Sequence, residues 1–98
     1  MLEKDIERKL VAGVKHAGGK AYKFVSPGNV GVPDRIVIWP NGTIHFVELK
    51  TSKGVLSRLQ GVQARELQKL NQKVFVLKGD DAVSGYLDQF TEEFGVKA

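Results

Sequence analysis

The sequence contains no cysteine and only two histidines, His16 and His45. The lack of cysteine excludes disulfide bonds, thiol nucleophiles and cysteine-based zinc sites. Because two histidines cannot build a histidine-rich centre, any metal site is expected to use carboxylate and carbonyl oxygens, which suit Mg²⁺, Mn²⁺ or Ca²⁺. The P-loop and the GxGxxG motif are missing too, which predicts no nucleotide cofactor. No nucleophilic-serine motif occurs either.

Long apolar runs are also absent. No stretch approaches the roughly 20 apolar residues that a membrane-spanning helix needs, and the charged first five residues lead into no apolar signal core. These features predict a cytoplasmic protein with no membrane partner. The 98 residues fit one domain, predicted to span residues 1–98. A chain this short buries only a small core, which favours a homo-oligomer.

Acidic residues are scarce in most of the chain. Residues 1–79 contain 14 Lys or Arg against 6 Asp or Glu, whereas residues 80–98 contain one lysine and five acids. The formal net charge of +4 therefore combines a basic body with an acidic tail. A body this basic favours a polyanionic partner, and nucleic acid is the usual one.

Hydrophobic periodicity predicts an α/β fold in the order α-β-β-β-α-β-α, with a mixed sheet flanked by helices. A helical stripe runs from Leu2 to Ala17 and ends at two glycines. A last helix is expected after an N-cap at Asp80 or Asp81. The connection from the third strand to the fourth predicts a parallel crossover. The other predicted elements are strands at 21–25, 34–39, 43–50 and 73–78 and a helix from Ser57 to about Asn71.

Pro40-Asn41-Gly42 marks a hairpin between the second and third strands. A two-residue loop would place Asp34 and Glu48 on opposite sheet faces, whereas a three-residue loop sets them directly across from each other. The proline suits the first inner position of a type I turn, and the glycine suits the left-handed position that follows. The sequence therefore favours the three-residue loop.

Two carboxylates opposed on a sheet repel each other unless a positive charge lies between them. A hard divalent cation would be held by Asp34, Glu48 and a backbone carbonyl such as that of Leu49. Lys50 shares the face of Glu48, where it would activate water or stabilise charge on phosphorus. The alternative is that Asp34 is only a strand-entry turn residue and that Glu48 and Lys50 form an exposed ion pair worth under ~1 kcal/mol. His45 alternates onto the opposite face, which predicts a packing role.

Three motifs occur in order: Gly31-Val32-Pro33-Asp34, Val47-Glu48-Leu49-Lys50-Thr51 and Gly54-Val55-Leu56-Ser57-Arg58-Leu59-Gln60. At these spacings they resemble the VRR-NUC family of the PD-(D/E)xK nuclease superfamily, from the first helix to about Gly79. The resemblance implies a restriction-endonuclease-like core and a nuclease that uses Mg²⁺ or Mn²⁺. Asp34 and Glu48 would match the metal ligands and Lys50 the catalytic lysine. Compact versions of this kind suggest a phage protein that acts in the host cytoplasm.

The same resemblance implies further site residues. The superfamily often adds a glutamate from the first helix, which Glu7 would supply; a solvent-exposed acid is the alternative. Gln60 would match the family's glutamine on the second helix, although Ser57 and Gln60 also have the spacing of a capping box. Gln63 lies on the same side of that helix as a second candidate. Arg58 stands where many family members have proline, which favours a phosphate contact.

The sequence therefore predicts a divalent-metal-dependent DNA endonuclease that acts as a homodimer through its first or last helix. Because backbone contacts read shape rather than sequence, selectivity is expected for branched, nicked or flapped DNA, including four-way junctions. The alternatives are a non-catalytic DNA-binding or assembly module on the same fold and a nuclease that acts on RNA. The predicted nucleic-acid contacts border the site: Lys20, Lys23, Arg35, Lys53, Ser57, Arg58, Gln63 and Arg65.

Overall fold

Three helices and four strands follow the chain in the predicted order in the computed structural model, which describes residues 2–96. The apolar stripe that starts near the N-terminus forms the first helix, and the two glycines after it lead into the first strand. The elements are α1 (Glu3–His16), β1 (Lys20–Lys23), β2 (Arg35–Ile38), β3 (Ile44–Lys50), α2 (Arg58–Lys69), β4 (Lys73–Lys78) and α3 (Gly79–Phe94).

The strands form one mixed sheet in the order β1-β2-β3-β4. The first three strands are antiparallel neighbours, whereas β3 and β4 run parallel. The parallel pair requires a crossover connection, and α2 provides it. The predicted parallel crossover and the mixed sheet flanked by helices are therefore confirmed.

The core lies between one face of the sheet and the helices α1 and α3. Ile6, Leu10 and Val14 recur every four residues on α1 and are fully buried there. His45 is also buried on this face, and its Nδ1 accepts a hydrogen bond from Trp39 Nε1 at 3.2 Å and lies 2.8 Å from the Tyr86 hydroxyl. Burial lowers the pKa of His45 to about 4. The packing role predicted for His45 is confirmed.

The opposite face of the sheet has a thinner cover. The helix α2 packs against β4 on this side, yet none of its residues is buried. Leu59 of α2 and Leu70, its C-cap, are 42% and 68% exposed. The acid pair predicted from the hairpin lies on this face, on the side of the sheet opposite α1 and α3.

Two helix caps were predicted, and one of them forms. Ser57 caps α2 as expected, with a reciprocal bond to Gln60. The cap at Asp80 or Asp81 is wrong, because α3 begins earlier, at Gly79, with Lys78 as its N-cap. Asp80 instead accepts a hydrogen bond from Lys9 Nζ of α1 at 2.6 Å. Within residues 2–96, no helix combines the length and the hydropathy needed to cross a bilayer.

Candidate active site

The hairpin loop fixes which residues share the site face. The Trp39 amide donates to the Thr43 carbonyl at 2.9 Å, and the Gly42 amide donates to the Trp39 carbonyl at 2.8 Å. Gly42 has a φ of +90°, as the left-handed position requires. This geometry confirms the three-residue loop. Continued along the strands, the register brings Asp34 directly across from Glu48.

The two carboxyl groups are coupled. The Asp34 Oδ2 atom accepts a hydrogen bond from the Leu49 amide at 2.7 Å, which anchors it to β3 between Glu48 and Lys50. Glu48 is only 3% exposed. Burial, and then its hydrogen bond to Asp34, raise the pKa of Glu48 to about 8, while the charge of Lys50 opposes the rise. Near neutral pH the pair therefore holds a proton that a cation would replace.

Pro33 leaves a third oxygen available beside the pair. The Trp39 amide donates to the Thr43 carbonyl, so these two residues form a pair of the hydrogen-bonded type, and every second pair along β2 and β3 is of the same type. Continued two residues beyond the last pair, Arg35 with Val47, this series puts Pro33 opposite Leu49. Proline has no N–H, so the Leu49 carbonyl receives no ladder hydrogen bond from β2. The carbonyl points to the same side of β3 as the Leu49 amide, which is the side of Asp34.

These oxygens fit a hard divalent cation. Two carboxylates and one carbonyl make an oxygen-only set of the kind that Mg²⁺ and Mn²⁺ prefer. Across residues 2–96, no three histidine, aspartate or glutamate side chains gather into a group that could hold a metal on their own. Asp34, Glu48 and the Leu49 carbonyl would therefore bind the ion jointly with water or substrate oxygens.

The structure does not bring Glu7 to this pair. Glu7 Oε1 accepts hydrogen bonds from Arg35 Nε at 3.0 Å and from Arg35 Nη2, and Arg35 Nη1 donates to the Ala21 carbonyl at 3.2 Å. Arg35 is paired with Val47, whose side chain is in the core, so this ion pair lies on the α1 side of the sheet. Glu7 as a metal ligand and Arg35 as a phosphate contact are therefore corrected to a pair that ties α1 to β1 and β2.

Glu3 is the acid of α1 whose charge acts on the site. It begins α1, and its negative charge contributes to the raised pKa of Glu48. The first helix therefore approaches the acid pair with its N-terminal end, one turn before Glu7. No sequence signal separates the two residues, because the end of α1 that meets β3 is set by tertiary packing.

The loop that carries Asp34 rests directly on the start of α2. A side chain at Gly31 would come within 2.6 Å of the Leu59 backbone and 2.8 Å of the Gln60 amide, and Gly31 has a φ of +95°. Gln60 Oε1 accepts from the Ser57 amide at 2.8 Å, so the glutamine and the serine serve the capping box. The first and third sequence motifs therefore meet here, through a glycine that allows close backbone contact.

Most of the predicted nucleic-acid contacts lie on the surface. Lys20 and Tyr22 are exposed on β1, with Lys20 Nζ 4.5 Å from the centre of the Tyr22 ring. Gln63 is half-buried on α2, and Lys50 is half-buried at the end of β3. The remaining basic residues of this set are exposed and make no ion pair within the described part of the chain: Lys23, Lys53, Arg58 and Arg65.

Comparison with known proteins adds two similarities. No protein-family model matches the chain. The chain is 46% identical over 82 residues to "Putative nuclease p44" of Acyrthosiphon pisum secondary endosymbiont phage 1, which covers 84% of this chain and 88% of the phage protein. A solved structure described as a VRR_NUC domain superposes with a TM-score of 0.77 at 27% identity, covering 92% of this chain and 94% of that chain.

Proposed function

Because the chain belongs to the VRR-NUC family, we propose that it is a nuclease that hydrolyses DNA phosphodiester bonds with Mg²⁺ or Mn²⁺. One observation carries the proposal: Asp34 and Glu48 oppose each other on the sheet face away from α1 and α3, with Lys50 beside them. A protein that only binds DNA has no need of two opposed carboxylates, because they destabilise the fold and repel phosphate.

Each residue of the site has a defined part in the proposed reaction. Asp34, Glu48 and the Leu49 carbonyl hold the cation, and the Leu49 amide keeps the Asp34 carboxylate facing it. When bound, the cation supplies Lewis-acid polarisation of the scissile phosphate. Lys50 donates to a phosphate oxygen or takes the proton of the attacking water. Glu3 replaces Glu7 as the proposed acid of α1 at this centre.

The proposed substrate is DNA recognised by shape. The exposed basic residues around the site contact backbone phosphates, which carry no direct sequence information. We therefore expect cleavage of branched, nicked or flapped DNA, four-way junctions included. Gln60 contributes by capping the start of α2, whose backbone lies against the loop of Gly31 and Asp34.

The proposed active form is a homodimer. Several exposed apolar side chains lie on α2 and its surroundings, whereas exposed charged residues such as Arg8 and Asp88 lie on α1 and α3. Leu59, Leu70 and Val76 are 42%, 68% and 36% exposed. The α2 side therefore replaces the first and last helices as the proposed interface, and Leu70→Glu is expected to shift the mass measured by light scattering from dimer to monomer.

The experiment that tests the function compares substrates and metals. Wild-type protein is incubated with supercoiled plasmid, a flapped duplex, a synthetic four-way junction and a matched linear duplex, each with Mg²⁺, Mn²⁺ or EDTA. The proposal predicts metal-dependent cleavage, fastest on the branched DNA, and none in EDTA. Tight binding without cleavage in either metal would support the non-catalytic module instead. Faster cleavage of an RNA of matched sequence would make RNA the substrate.

A further inference from the structure

Two lysines face each other where β3 and β4 end. The parallel register pairs Lys50 with Lys78, the residue that directly precedes α3. Paired residues on neighbouring strands project from the same face of a sheet, and the strands are about 4.8 Å apart. The Lys78 side chain therefore leaves the sheet next to that of Lys50, on the face that carries Asp34 and Glu48.

No carboxylate forms an ion pair with either of these lysines in the described part of the chain. Within residues 2–96, the ion pairs are formed by Arg8, Lys9, Arg35 and Lys69. Asp80, an acid close to Lys78 in sequence, is held by Lys9 at 2.6 Å. Like charges directly opposed on a sheet are destabilising, so the arrangement becomes favourable when an anion lies between them.

The end of the sheet holds the two lysines in a fixed relation. Gly79, next to Lys78, has a φ of +84°, and a side chain there would come 3.1 Å from the Ser52 Cβ. The loop after Lys50 therefore packs on the start of α3 and leaves little freedom between the two strand ends. The Lys78 side chain makes no capping hydrogen bond to α3, so the helix does not depend on it.

We propose that Lys78 binds the backbone phosphate next to the scissile phosphate, so that Lys50 and Lys78 together bind two successive phosphates of one strand. This inference rests on the proposed nuclease function. An ammonium group at the end of a flexible side chain suits a phosphate oxygen as a point charge. Because the contact is to the backbone, it strengthens binding to every DNA sequence alike. The parallel register, which the sequence pattern does not reveal, is what identifies Lys78.

The test compares Lys78→Ala with Lys73→Ala, a matched control at the opposite end of β4, where the lysine is also exposed. Affinity for a four-way junction is measured in EDTA over a series of salt concentrations. For Lys78→Ala we expect the slope of log affinity against log salt to fall by about 0.9, the value of one lost phosphate contact. Lys73→Ala should keep the wild-type slope. Lys78→Arg, which retains the positive charge, should have the wild-type slope as well.

Cleavage kinetics give a second measurement. Lys78→Ala should raise KM and leave kcat near the wild-type value, because Lys78 contacts a phosphate outside the reacting bond. Equal salt slopes for Lys78→Ala and Lys73→Ala would overturn the inference. Wild-type protein that binds the junction and cleaves nothing would contradict the proposed nuclease function. A smaller salt slope for Lys78→Ala than for the wild type would still support the phosphate contact in that case.

Discussion

Single residues determine whether the site can bind a cation, and Pro33 is the least obvious of them. The register of β2 and β3, continued two residues beyond its last pair, sets Pro33 opposite Leu49, and a proline has no N–H to bond the Leu49 carbonyl. We expect Pro33→Ala to weaken Mn²⁺ binding by about tenfold, a typical effect of groups that orient metal ligands. The measurement is the rise in unfolding temperature with Mn²⁺ concentration. Pro27→Ala, in the same loop but exposed, should bind Mn²⁺ like the wild type.

Glu48 makes the stability of the metal-free protein depend on pH. Its pKa rises from 4.5 to about 8 on folding, so the folded state keeps a proton that the unfolded chain releases. Stability therefore falls as pH rises through this window. His45 acts in the opposite direction between about pH 4 and 6.5, because its pKa is lowered on folding. Above pH 6.5 the effect of His45 on the pH dependence of stability has ended, and the effect of Glu48 remains.

Urea denaturation in EDTA at pH 6.5 and pH 8 measures this contribution. The wild type should lose up to about 2 kcal/mol between the two values, since one pH unit corresponds to 1.36 kcal/mol per proton. Glu48→Gln cannot release a proton and should lose much less. A wild-type protein as stable at pH 8 as at pH 6.5 would show that Glu48 is ionised at both.

At the scale of elements, the contact between the 26–34 loop and α2 assembles the site. Gly31 sits where a Cβ would overlap the α2 backbone, whereas Gly28, also in the left-handed region at φ +84°, has no atom within 4 Å of such a Cβ. Gly28→Ala should cost about 1 kcal/mol of backbone strain. Gly31→Ala adds overpacking, for about 2–4 kcal/mol in all, and should also slow cleavage by displacing Asp34. Chemical denaturation and cleavage assays of both variants measure the difference.

At the scale of the whole molecule, the sequence predicts the features that local chemistry determines. The order of elements follows from periodicity, and the hairpin register follows from Pro40 and Gly42, so the opposition of Asp34 and Glu48 was predictable. The partner of Glu7 was not, because Arg35 reaches it from a strand 28 residues away. The exposure of Leu59 was not either, since an apolar stripe on a helix does not show how much of it the sheet covers.

The same limit applies to Glu3 and Lys78. Each gains its proposed part from a contact between elements, the end of α1 with β3 in one case and the parallel pairing of β3 with β4 in the other. Sequence motifs mark residues that keep fixed spacings along one segment. Residues that meet the site from a distant segment become visible only in the fold.

The central claim is that Asp34 and Glu48 hold the cation and that Lys50 acts beside them. The most direct test is the single-turnover cleavage rate of a four-way junction in Mg²⁺ for Asp34→Asn, Glu48→Gln and Lys50→Ala, with Lys73→Ala as the control for a lost surface charge. The account predicts that each site variant is slower by about 10²–10⁴-fold, with folding intact by circular dichroism, and that the control cleaves at the wild-type rate. Cleavage at the wild-type rate by Asp34→Asn or Lys50→Ala would contradict it.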